Sequence, residues 1–91
     1  MDAIDYAKVV DSVTEHIDDV IKLADDETIG AFCEAAEDLR MYTGWLLGFR
    51  DACDLLGIVT PEMKELYDEY KSHADLLALS IIKTLKELGL T

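Results

Sequence analysis

The 91-residue sequence predicts an all-α fold: a compact antiparallel three-helix bundle with a long central helix, assembled as a homodimer. Three observations lead there. Apolar residues recur at spacings of three and four along almost the whole chain, the period of helices with a buried face. Only two short stretches, residues 25–30 and 57–61, interrupt that period. Finally, 51% of the residues are hydrophobic, whereas a chain this short buries only about 60–65% of its unfolded surface. Association is expected to cover part of the surplus.

The first helix is expected over about residues 2–24. Tyr6, Val10, Val13, Ile17, Val20 and Ala24 form its apolar stripe. Asp2 suits the N-cap, and Asp5 suits the first turn, where a carboxylate complements the helix dipole. In "DDETIG", residues 25–30, Asp25 or Asp26 is placed to cap the next helix. The alternating ligands, central glycine and late glutamate of a calcium loop are absent from this acidic stretch.

The second helix is expected over about residues 27–56, with Phe32, Ala35, Leu39, Tyr42, Leu46, Phe49, Cys53 and Leu56 on one face. Gly57 fits the position just past its end. Thr60, Pro61 and Glu62 then supply an N-cap, a first helical residue and a first-turn acid. The third helix follows over about residues 61–88, with Gly89 as its stop. Its stripe is Met63, Leu66, Tyr70, Ala74, Leu77, Ile81 and Leu88. Leu76, Leu79 and Ile82 lie outside that stripe, so its second half is expected to be buried on more than one side. Short connections make consecutive helices antiparallel.

"MYTGWLLGFR", residues 41–50, places Gly44 and Gly48 inside the central helix. Each glycine there costs about 0.5–1 kcal/mol relative to alanine. At 100° per residue from Tyr42, they fall at about 200° and 240°, on the back of the helix. Leu47 and Leu55 share that back, and Trp45 sits at the margin of the main stripe. Three arrangements offset the cost. Another helix of the same chain crosses closely there, a second copy does so with Leu47, Leu55 and Trp45 beside the contact, or the helix breaks at Gly44.

Charge bounds the function. Twenty acidic residues against eight basic ones give a net charge of −12. Direct nucleic-acid binding is disfavoured, because it depends on neutralising phosphates with Lys and Arg. A basic protein partner is favoured by long-range attraction. The first 27 residues hold nine acids and two lysines, a net −7. Asp11, Glu15, Asp18 and Asp19 are like-charged neighbours, each repulsive pair costing a few tenths of a kcal/mol. With Asp25, Asp26 and Glu27 they form the candidate partner-binding face. No apolar run near the start suggests a signal peptide, and no segment reaches the length of a membrane span. Cys33 and Cys53, about 30 Å apart on one helix, cannot pair with each other. They are expected as reduced thiols in a cytoplasmic protein.

Catalytic chemistry finds little support. His16 and His73 stand in no nucleophile motif. His16 with Asp19, and Glu69 with His73, are spaced for two metal ligands, but no Glu-x-x-His pair exists. One pattern is more specific: Glu34-x-x-Glu37 and Glu65-x-x-Asp68, separated by 27 residues. It resembles the magnesium-binding spacing of the all-α nucleoside triphosphate pyrophosphatases. That resemblance covers four carboxylates and implies a magnesium-dependent nucleotide hydrolase. In a hairpin, however, Glu65 lies opposite Cys53, about 24 Å along the helix from Glu37. The pairs would meet only between subunits or through a sharp kink.

The function expected from the sequence is therefore non-catalytic and cofactor-free. A small acidic helical protein binds and occludes a positively charged partner, a nucleic-acid-binding protein, by mimicking nucleic acid as a viral-type inhibitor does. A structural homo-oligomer without a basic partner and the pyrophosphatase-like enzyme are the alternatives.

Overall fold

The computed structural model describes residues 4–91. Three helices follow one another: α1, Tyr6–Leu23; α2, Asp26–Leu56; and α3, Pro61–Glu87. Among the described residues there is no strand, and no helix is long and apolar enough to cross a membrane.

Local chemistry sets the helix ends. Asp5 has extended backbone and its carboxylate accepts from the Lys8 N–H at 3.2 Å. It is thus the N-cap of α1, not a first-turn acid, and Asp2 lies outside the described residues. Asp25 caps α2 by accepting from the Thr28 N–H at 2.7 Å. Thr60 caps α3 by accepting from the Met63 N–H at 3.1 Å, with Pro61 at the first helical position. Gly57 ends α2 in the left-handed region, at φ +67°, where a side chain would be strained.

α2 and α3 form a long antiparallel hairpin, and α1 lies against both. Leu39, Ile81 and Val20 are fully buried, one from each helix, with Ala74, Ala78 and Leu85 beside them. Alanine at 74 and 78 lets α3 come close to its neighbours. On the α2 stripe Phe32, Ala35, Leu39, Leu46 and Cys53 are buried, Tyr42 and Phe49 half-buried, and Leu56 is 66% exposed. On α1, Val9 joins Val13 and Val20 in the core, while Val10 and Ile17 are half-buried. On α3, Ala78 and Leu85 are buried, whereas Leu66 and Leu76 face solvent. Of the three residues outside the α3 stripe, only Ile82 packs on the core. Leu76 and Leu79 are exposed, so that half of α3 is covered on fewer sides than its composition suggested.

The helices differ in length, which shapes the molecule. α1 has 18 residues against 31 and 27. It runs beside the half of the hairpin that holds Phe32, Leu39, Ala78 and Leu85. The other half, around Gly57, projects beyond it. The body measures 47 × 25 × 18 Å.

Candidate interaction surfaces

Asp11, Glu15, Asp18 and Asp19 are exposed on α1, and Asp25, Asp26 and Glu27 are exposed where α2 begins. Among the described residues, none of the seven lies within 4 Å of a lysine or arginine head group. The His16 imidazole alone comes that close, its Nδ1 3.9 Å from the Asp19 carboxylate. The only other ion pair among the described residues is Lys83 with Glu87, at 3.9 Å.

The seven acids divide into two groups by cause. Asp25 caps α2, and hydrogen bonds from the Thr28 side chain and backbone N–H hold its carboxyl below the usual carboxylate range. Its contribution to stability is present above the unfolded pKa and is lost as pH falls through the lowered one. Asp26 and Glu27 stand in the first turn of α2, where the helix dipole favours them. All three thus have a structural role. Asp11, Glu15, Asp18 and Asp19 have none: they repel one another, and the last two approach the negative end of α1.

The glycines are placed differently from every intramolecular expectation. α2 is continuous through both, so the helix does not break. Among the described residues a Cβ on Gly44 or Gly48 would meet nothing within 4 Å, so no other helix crosses over them. The back of α2 is open because α1 docks on its flank. Leu47 is 56% exposed and Leu55, at the projecting end, 87%.

Trp45 is 36% exposed and belongs to an aromatic row along the α2–α3 seam. Its ring lies 4.2 Å from Tyr70 and 5.0 Å from Phe49 between centroids. Tyr42 lies 5.5 Å from Tyr70 and stacks on His73 at 6.1 Å. The seam has two sides. On one, Tyr6 and Ala7 of α1 share a groove with Thr43, Leu46, Tyr67 and Lys71. On the other, Asp38, Tyr42, His73, Leu76 and Leu77 line a groove to which α1 contributes nothing.

The four carboxylates of the magnesium pattern, Glu34, Glu37, Glu65 and Asp68, are all exposed. Among the described residues no three His, Cys, Asp or Glu side chains are grouped to hold a metal ion. Within one chain, therefore, the two pairs do not form a shared site. His16 and Asp19 form the ion pair above. Cys33 is exposed and Cys53 buried, and both are free thiols. Among the described residues no polar or charged side chain is buried.

Sequence reasoning missed the uncovered side of the seam. Tyr42, Tyr70 and Leu77 fall in the expected core stripes, Trp45 at the margin of one and Leu76 outside the other, and only the position of α1 shows which flank stays open. Compared with known proteins, the chain matches no family model, no curated protein and no solved structure.

Proposed function

We propose that this protein is a non-catalytic interaction module whose acidic α1 face docks on and occludes a positively charged partner surface, that of a nucleic-acid-binding protein. One observation carries the proposal: Asp11, Glu15, Asp18 and Asp19 are exposed, without a lysine or arginine partner, and without a structural role. The density of charge supports mimicry. Four carboxylates span about 12 Å of helix, or about one per 4 Å. A single DNA strand carries one phosphate per roughly 3.4 Å of axis. Asp25, Asp26 and Glu27 extend the negative field beyond the end of α1. Attraction between this field and a basic groove speeds encounter and weakens with salt.

Charge reversal separates this function from stability. Glu15→Lys replaces the repulsive i,i+3 and i,i+4 pairs with Asp11, Asp18 and Asp19 by attractive ones, so the variant is expected to melt no lower than wild type. Capture from the native host at low and moderate salt is expected to enrich a basic nucleic-acid-binding protein with wild type, salt-sensitively, and to lose it with the variant. Equal capture by both, or a complex containing only this chain, overturns the proposal. The second outcome selects a structural homo-oligomer instead, which the exposed apolar residues of α2 and α3 favour.

A further inference from the structure

The shape of the chain leaves surface unaccounted for. A compact protein of 10.2 kDa exposes roughly 5,300 Å², whereas this chain exposes 6461 Å². Its radius of gyration is 15.1 Å, against about 12 Å for a compact domain of this length. The excess, roughly 1,100 Å² by the same scaling, matches the roughly 800 Å² that each partner contributes to a standard interface.

One group of exposed apolar side chains lies on the side of the seam that α1 leaves open. Leu76, 66% exposed, lines the groove there with Tyr42, Leu77 and the polar pair Asp38 and His73. Trp45 and Leu66, 36% and 41% exposed, flank Tyr70 on the same side, and Met41, 59% exposed, lies one turn before Trp45. A partly exposed tryptophan braced by its neighbours is the kind of residue that anchors interfaces. Charge determines which copies can meet here. Each chain carries −12, so two copies repel unless they associate through a face away from the acidic column. The column lies on α1, on the other side of the hairpin. Back-to-back contact through the open side keeps the two columns apart.

We infer that the open side of the α2–α3 seam, centred on Trp45, Tyr70 and Leu76, is the interface of a two-fold homodimer. Two hairpins pack there into a four-helix core, with each α1 on the outside. This interface is independent of the acidic face and leaves it free for a partner. The glycines are not what defines it: Gly44 faces solvent on the back of α2, and Gly48 lies at the edge of the contact.

Sedimentation equilibrium at micromolar concentration tests the assembly. The expected mass is twice the 10.2 kDa of one chain. The single tryptophan supplies a second readout: its emission should move to shorter wavelength as concentration rises and Trp45 is covered. Met41→Glu and Leu76→Glu change residues that are mostly exposed in the single chain. Both variants are expected to keep helical circular dichroism and to weaken dimerisation about tenfold or more. Leu23→Glu, at an exposed apolar residue of α1, should leave it unchanged. A monomer up to millimolar concentration overturns the inference and assigns the face to a different protein. A dimer indifferent to Met41→Glu and Leu76→Glu, or equally weakened by Leu23→Glu, overturns it too.

Discussion

Gly44 occupies a helix interior where nothing requires a glycine. Its backbone is helical, and among the described residues nothing occupies the space a Cβ would take. Alanine there restricts the unfolded chain and favours helix. Gly44→Ala should therefore stabilise the protein by about 0.5–1 kcal/mol, a rise of a few degrees in Tm for a domain of this size. An unchanged or lower Tm in thermal melts would mean that another molecule approaches the back of α2. Tyr6 is the opposite case, a residue with one specific task. Its hydroxyl donates to the Asp75 carboxylate, tying the start of α1 to the middle of α3. Burial first, then that hydrogen bond and the charge of Asp75, push the phenol above its ordinary range. A raised folded pKa contributes stability that is complete below the unfolded value near 10 and fades as pH rises past it. Tyr6→Phe should cost about 1 kcal/mol at neutral pH, and the variant should lose stability less steeply than wild type above about pH 10. Denaturant titrations at neutral and alkaline pH measure both.

At the scale of helices, the boundaries were legible because capping is local chemistry. Asp25, Gly57, Thr60 and Pro61 identify their own positions whatever the tertiary structure, and the observed ends of α2 and α3 fall within one residue of expectation. The face of α2 was equally legible, since its stripe is interrupted by polar residues on either side. The rotation of α3 was not. "ADLLALSIIKTL" is apolar nearly all round, so the period alone cannot choose between Leu77 and Ala78 as the buried position. Ala74, Ala78, Ile81 and Leu85, spaced four, three and four, carried the usable signal: small residues where helices approach closely. Likewise, exposure of the α1 carboxylates followed from their like-charged spacing, whereas the open side of the seam depends on where α1 docks. The projecting half of the α2–α3 hairpin shows the consequence. Leu55, Leu56, Ile58 and Val59 are exposed there, and no third helix covers them. Local opening is easier where fewer apolar contacts must break. Backbone amides around residues 50–56 and 63–68 should exchange with solvent faster than those around Leu39 and Ile81. Uniform protection along α2 in hydrogen-exchange measurements would show that this end is held by something else, such as the second copy.

For the whole molecule, the two demanding surfaces lie on opposite sides of the hairpin, the acidic column on α1 and the aromatic seam away from it. In the dimer inferred above, that separation keeps the two acidic columns apart. The Tyr6–Asp75 bond also has a kinetic meaning. Each adjacent pair of helices closes through a short connection, so most tertiary contacts join segments that are near in sequence, and such topologies fold in microseconds to milliseconds. The pairing of α1 with α3 is different, since Tyr6 and Asp75 are 69 residues apart. Closing that long loop costs entropy before the bond returns anything, which places it late, after the α2–α3 hairpin has formed. A contact made after the transition state leaves the folding rate alone when it is deleted and appears almost wholly in unfolding. The bond is then expected to act as a latch: Tyr6→Phe should speed unfolding and leave the folding rate unchanged, and slower refolding of that variant in stopped-flow measurements would place the contact earlier.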